Sequence, residues 1–257
     1  MTLRRCGMMR DNDTNPTAGA NPALPRGPCS RGSCVSAPPR SGRPMPPGRV
    51  PPRLVILDFD GTLADSWPWL LGALADTAAH FGLPPMVPAQ AEALRGQDSH
   101  AALKALGVPA WRLPRLGSHL RRLAEAAPAP PLFPGIPELL YRLAGAGLTL
   151  AIASSNSAAQ IRRTLGPELM ALVAHQAVEA SLFGKAARFR RILRVSGIPA
   201  SATIAIGDES RDIAAARRAG IAAGAVGWGY ALPSLLAAQG PDALFESPAD
   251  IARFLGA

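Results

Sequence analysis

The chain is short of lysine. Of its 27 basic residues only Lys104 and Lys185 are lysines, and the rest are arginines. A lysine kept in such a chain marks a position that the planar fork of a guanidinium does not suit. Cysteine is as scarce. Cys6, Cys29 and Cys34 all lie near the N-terminus, so the rest of the chain can form neither a disulfide nor a thiolate metal site. No His or further Cys stands near Cys29 and Cys34, which leaves zinc without a ligand set there. This usage fits a reducing compartment, and a cytoplasmic location is expected. No apolar run approaches the roughly 20 residues of a membrane span, and the first residues lack the apolar centre of a secretory signal. Asparagine is rare too, with Asn156 the only one after Asn21.

Acidic residues are nearly missing from the first 52 positions, which hold eight Arg against Asp11 and Asp13. Most of the net charge of +9 therefore belongs to that stretch, and the remainder of the chain is only mildly basic. A nucleic-acid function argued from total charge loses its force, and neither nucleic acid nor membrane is an expected partner. Residues 1–52 are rich in Pro, Gly, Arg and Ser with no apolar period, the composition of a disordered tail. Met45 is a plausible alternative start.

What is present begins at Leu54-Val55-Ile56-Leu57, an apolar run that reads as a short buried strand. It ends in Asp58-Phe59-Asp60-Gly61-Thr62. Side chains two apart on a strand share a face, so both acids can look into one crevice. Carboxylates that close repel unless a metal or a proton lies between them. From Trp67 to His80 the apolar residues recur at helical spacing, and Phe81-Gly82-Leu83-Pro84-Pro85 ends that helix. Further short helical stretches follow over 88–127, and no strand is expected between 66 and 147.

Strands and helices then alternate. Strands are expected at Leu148–Ala153, Ala174–Val178, Ala202–Ile206, Ile221–Val226 and Ala243–Phe245. Helices are expected at Pro137–Ala146, Ser157–Leu165, Lys185–Ser196, Glu209–Ala219 and Ala249–Leu255. This order implies an α/β fold with a parallel, doubly wound sheet, Rossmann-like, whose strand ends share one edge. The domain reading is a tail over 1–52, an α/β core over 53–66 and 132–257, and a small helical cap inserted over 67–131.

Four strand-to-helix transitions deliver polar residues to that edge: Asp58 and Asp60, then Ser154, then Lys185, then Asp208 and Asp212. Acids, a hydroxyl and a lysine converging in one crevice suit metal-assisted phosphoryl transfer. Mg²⁺ takes oxygen ligands, a carboxylate can attack phosphorus, and helix N-termini hold phosphate oxygens. Each transition taken alone could be a solvated turn or a helix N-cap. Those readings do not explain why all four fall on one edge.

Asp58-Phe59-Asp60-Gly61-Thr62-Leu63-Ala64-Asp65-Ser66 resembles the first motif of the haloacid dehalogenase-like hydrolase superfamily. Ala151–Asn156 resembles its second, Ser181-Leu182-Phe183-Gly184-Lys185 its third, and Ile206–Asp212 its fourth. The inserted helices and the run Gly207–Gly220 are similar to the phosphoglycolate phosphatase-like branch. The resemblance implies a Mg²⁺-dependent phosphatase acting on a small phosphorylated metabolite through an aspartyl-phosphate. It implies Asp58 as nucleophile and Asp60 as acid and then base. It also implies Asp58, the backbone carbonyl of Asp60, and Asp208 as metal ligands with Asp212 in support, and Ser154 and Lys185 as phosphoryl-binding groups. The superfamily's dehalogenases lack the second acid of the first motif, so Asp60 favours phosphatase or mutase. A sugar-phosphate mutase and a non-catalytic phospho-ligand or protein-binding module on the same fold are the alternatives. Trp67 and Arg95 are candidates for the substrate pocket, although Trp67, like Trp69, could simply pack helices. The four histidines show no ligand spacing. A monomer or small homo-oligomer is expected.

Overall fold

Four consecutive apolar residues leave a strand no polar face, so it must lie inside a sheet covered on both sides. β1 (Leu54–Leu57) does so: all four side chains are buried, each contributing about 1.5–3 kcal/mol relative to exposure. The structure is a computed structural model and describes residues 50–83, 95, 110–178 and 184–257. All described residues belong to one compact unit. The other strands are β2 (Thr149–Ala153), β3 (Val173–Ala177), β4 (Thr203–Gly207), β5 (Ala222–Val226) and β6 (Ala243–Phe245). They form a parallel sheet in the order β3-β2-β1-β4-β5-β6. Leu54 pairs with Thr149 on one side and Thr203 on the other, so β1 is the strand about which the order reverses. Ligands of open α/β sheets bind at the carboxyl ends beside such a point.

The helices are α1 (Trp67–Phe81), α2 (Leu113–Ala126), α3 (Ile136–Gly145), α4 (Ala158–Ala171), α5 (Gly184–Ser196), α6 (Ser210–Ala219), α7 (Pro233–Ala238) and α8 (Pro248–Leu255). Alternate residues of the central strands feed two cores. Val55 and Leu57 join Leu139, Leu143, Ile161 and Ile251 beneath α3, α4 and α8. Leu54 and Ile56 join Phe189, Ile192, Ile213 and Leu236 beneath α5, α6 and α7. That two-sided burial is why the strands read as continuous apolar runs.

Most expected elements appear within one residue of their expected bounds. α1 stops where Gly82 takes a left-handed φ of 62°, and the Leu83 N–H closes the cap on the Ala78 carbonyl at 2.8 Å. The first stretch of α4 ends at Leu165 as expected: Gly166, with φ 70° and ψ 172°, leaves helical geometry, and a second helical stretch from Pro167 runs to Ala171. Proline suits the first turn of that second stretch, where its missing N–H has no helical partner to lose. α7 was not expected, because its six residues are too few to show a period. Among the described residues no strand lies between 66 and 147. α1 and α2 pack on each other there. Residues 1–49 of the tail expected over 1–52, Cys29 and Cys34, Lys104, His100 and residues 181–183 of the third motif lie outside the described residues. No helix among the described residues is long and apolar enough to cross a membrane.

Candidate active site

β1 and β4 are hydrogen-bonded neighbours, and their ladder runs on past the strand end through Asp58 N–H to Ile206 O at 2.9 Å. Asp58 and Asp208 are therefore brought side by side by backbone pairing, before any side-chain attraction. Asp212 comes up on the first turn of α6. Its Oδ2 accepts the Glu209 N–H at 3.0 Å in a capping box, which fixes the carboxylate. The three carboxylates offer oxygens that lie within 4.8 Å of one another, and all three are buried. Lys185, at the start of α5, places its ammonium between two of them, 2.6 Å from Asp58 Oδ2 and in contact with Asp212 Oδ1.

Glycines make room for this packing. A Cβ on Gly61 or Gly229 would overlap Asp208, and one on Gly207 would overlap Asp212. Asp208 is also oriented from both sides. Thr62 Oγ1 donates to its Oδ1 at 3.0 Å and the Tyr230 N–H to its Oδ2 at 2.8 Å. Trp228 Nε1 in turn donates to the Thr62 carbonyl at 3.1 Å, tying the turn after β1 to the loop after β5.

Burial pushes the Asp58 carboxyl up to about 6, with Lys185 pulling it down and Asp212 pushing it further up. Burial also raises Asp208 well above the carboxylate range, helped by the charges of Glu209, Asp58 and Asp212, with the Tyr230 N–H opposing. Burial works against the Lys185 ammonium, but Asp212 and Asp58 hold its pKa above the ordinary lysine value. Three buried carboxyl groups gather around one buried ammonium, and the charges of Arg211 and Arg188 also act on Asp58. Oxygen ligands gathered this closely suit a divalent cation.

Asp60 lives in a different setting. Its Oδ1 accepts the Ser66 hydroxyl at 2.9 Å, and the Asn156 amide nitrogen lies 3.4 and 3.3 Å from Oδ1 and Oδ2. The Asn156 amide is held in that sense because its Oδ1 accepts the Ser157 N–H at 2.8 Å. Burial raises the Asp60 pKa, while the bonds from Ser66 and Asn156 restrain it. Ser154 is buried at the end of β2, and its Oγ accepts the Asn156 N–H at 3.0 Å. Its own proton remains available to donate.

The structure thus gathers Asp58, Asp60, Ser154, Lys185, Asp208 and Asp212 at one sheet edge. Trp67 and Arg95 stand together. The Arg95 guanidinium lies 5.8 Å from the Trp67 ring centre and donates to the carbonyls of Tyr230 and Gly229, at 3.0 Å each. Sequence reasoning gave no role to Thr62, Ser66 or Tyr230, and left open the contribution of Asn156 beside the phosphoryl-binding groups. The signal for Tyr230 was Gly227-Trp228-Gly229-Tyr230, small and aromatic residues alternating directly after an apolar strand. His80 and His119 stack on each other, 4.4 Å between centres, on α1 and α2. His175 lies on the edge strand β3.

Residues 55–226 match the family model of the haloacid dehalogenase-like hydrolases. A phosphoglycolate phosphatase of Synechococcus elongatus is 34% identical over 199 residues, covering 77% of this chain and 94% of its own. A haloacid dehalogenase-like family protein of Streptococcus pneumoniae superposes with a TM-score of 0.67 at 22% identity, over 78% of this chain and 96% of that one. CbbY of Rhodobacter sphaeroides, crystallised with xylulose 1,5-bisphosphate, superposes with a TM-score of 0.61 at 21% identity, over 77% and 95%. The two structures share the fold.

Proposed function

The chain belongs to the haloacid dehalogenase-like hydrolases, in their phosphoglycolate phosphatase-like branch, and is a phosphoric monoester hydrolase, and from that premise we propose that it is a Mg²⁺-dependent phosphatase of a small, phosphoglycolate-like phosphomonoester that works through an aspartyl-phosphate on Asp58. One observation supports this reading above the others. Two acids from one strand end face two different environments, Asp58 against Lys185 and the carboxylate cluster, Asp60 against Ser66 and Asn156. Such a split is how one site runs nucleophile and acid–base chemistry together.

In the proposed reaction an Asp58 oxygen attacks phosphorus, and the bond from phosphorus to the ester oxygen breaks. Asp60 gives its proton to the departing oxygen. Water then attacks the aspartyl-phosphate, Asp60 takes the water's proton, and Asp58 and inorganic phosphate are released. The Ser154 hydroxyl donates to a phosphoryl oxygen, and Lys185 offsets charge on Asp58 and on the phosphoryl group. Asp58, the backbone carbonyl of Asp60, and Asp208 would hold Mg²⁺, with Asp212 in support. Bound there, Mg²⁺ would neutralise phosphoryl charge and orient the group. The segment 67–131, with α1 and α2, is proposed as a cap that excludes water and shapes the leaving-group pocket. Phosphoglycolate is the leading substrate because the Synechococcus relative is named for it. The protein is proposed to act in the cytoplasm, as a monomer or small homo-oligomer.

Asp58→Asn tests the reading. It should remove Mg²⁺-dependent phosphate release across a phosphomonoester panel that includes phosphoglycolate, together with acid-stable labelling of the protein by phosphate. Turnover at the wild-type rate in that variant would falsify the mechanism. Isomerised sugar phosphate with little free phosphate would identify a mutase instead.

A further inference from the structure

Asp60 is the group proposed to move the proton, and its orientation does not rest on its own strand alone. Ser66 Oγ donates its single proton to Asp60 Oδ1 at 2.9 Å. The same oxygen lies 2.6 Å from the Tyr230 hydroxyl. With the serine proton committed to a carboxylate, Tyr230 must be the donor in that second bond. Tyr230 is 164 positions away in sequence, on the loop after β5. Its ring packs on Trp67 at 5.2 Å between centres, and its N–H holds Asp208.

What holds Tyr230 is the third link. Arg95 is the one described residue between 83 and 110, and it belongs to the proposed cap. Its Nε donates to the Tyr230 carbonyl and its Nη2 to the Gly229 carbonyl, both at 3.0 Å. The Leu232 N–H donates back to the Arg95 carbonyl at 2.9 Å. Three hydrogen bonds within four residues seat this part of the proposed cap on the loop that carries Tyr230.

We propose that Tyr230 is a positioning residue through which docking of Arg95 on the Gly229–Leu232 loop sets the orientation of Asp60, by the chain Arg95, Tyr230, Ser66, Asp60. The inference rests on the proposed role of Asp60. Its consequence is that proton delivery to the leaving group depends on the Arg95–Tyr230 and Tyr230–Ser66 hydrogen bonds.

The test compares two aryl phosphates of nearly equal size. Phenyl phosphate must lose a phenol whose pKa is about 10, so its departure needs a proton. The p-nitrophenolate of p-nitrophenyl phosphate leaves well without one. In Tyr230→Phe, which keeps the ring and the backbone N–H, kcat/KM for phenyl phosphate should fall about fivefold, the scale of one hydrogen bond between neutral groups. For p-nitrophenyl phosphate it should stay within about twofold. Ser66→Ala breaks the same chain one link nearer and should show the same selectivity, with melting curves confirming folded protein. Arg95→Met should do likewise, and Arg95→Met/Tyr230→Phe should be no worse than the worse single variant. Equal losses on both substrates, no loss on either, or additive losses in the double variant would overturn the inference. Asp60→Asn separates this from the underlying reading. If Asp60→Asn is leaving-group selective and Tyr230→Phe is not, only the positioning chain falls. If Asp60→Asn is unselective, its role as acid falls first.

Discussion

Replacing Gly229 by Ala puts a methyl group where Asp208 already stands. The new Cβ would lie 2.2 Å from Asp208 Cβ, 2.4 Å from the Gly61 carbonyl oxygen and 2.6 Å from Asp208 Oδ2. Ordinary van der Waals contact begins near 3.4 Å, so something must yield by about 1 Å. None of the obstacles is the end of a flexible side chain. Asp208 follows the last residue of β4 and is held by Thr62 and Tyr230, and the Gly61 carbonyl is part of the turn after β1. Overpacking of this kind costs about 1–3 kcal/mol, which lowers Tm by roughly 2–12 °C in a fold of this size. Activity should suffer more than stability. A displacement of about 1 Å in a group that positions the reaction costs on the order of 100-fold in kcat/KM. The Mg²⁺ concentration giving half-maximal rate should rise, because a proposed ligand moves. Gly227→Ala is the control, since its Cβ would sit 3.4 Å from the Phe245 carbonyl and Pro233 Cγ, without overlap. The assay is phosphate release against Mg²⁺ concentration, with melting curves on both variants. Wild-type kcat/KM and Mg²⁺ response in Gly229→Ala would refute the reasoning that Asp208 must stand where it does.

The pH response of metal-free protein follows from Asp58, whose ordinary value of 3.8 becomes about 6 in the fold. The folded chain holds that proton more tightly than the unfolded chain. The contribution is therefore present below about pH 4 and lost as pH rises through 6. In chelator, Tm should fall over that window, with a shallower slope in Asp58→Asn, and excess Mg²⁺ should flatten it. An identical slope in Asp58→Asn would contradict the assignment. Lys185→Met removes the only cation in contact with Asp58 and Asp212 among the described ion pairs. Uncompensated buried charge should cost about 3–5 kcal/mol at pH 8, with part regained near pH 5 as the carboxyls protonate. Denaturant unfolding at the two pH values measures this, and a pH-independent loss would count against it.

Much of the architecture was legible without coordinates, for a local reason. A four-residue apolar run admits no exposed face, and Gly or Pro punctuates most connections. The order of β1, β2, β4 and β5 could therefore be read directly as parallel strands between helices. Chemistry-bearing residues that directly follow those strands were legible for the same reason: Asp58 and Asp60 after β1, Ser154 after β2, Asp208 after β4. α7 and the short helical stretch from Pro167 to Ala171 were not legible. Both are too short to show a period.

The sequence by itself determined which side chains could reach the sheet edge, because strand period and the right-handed crossover are properties of the backbone. It also marked Lys185, through the near absence of other lysines. Tertiary structure alone decided how the two acids of Asp58-Phe59-Asp60 part company. Asp58 meets an ammonium from α5, while Asp60 meets a hydroxyl from its own turn and an amide from the end of β2. The Tyr230 hydroxyl meets Ser66, and Arg95 meets the Tyr230 carbonyl, through hydrogen bonds between residues more than 100 positions apart. Contacts at that separation leave no trace in local spacing, since nothing in a short window of sequence depends on them.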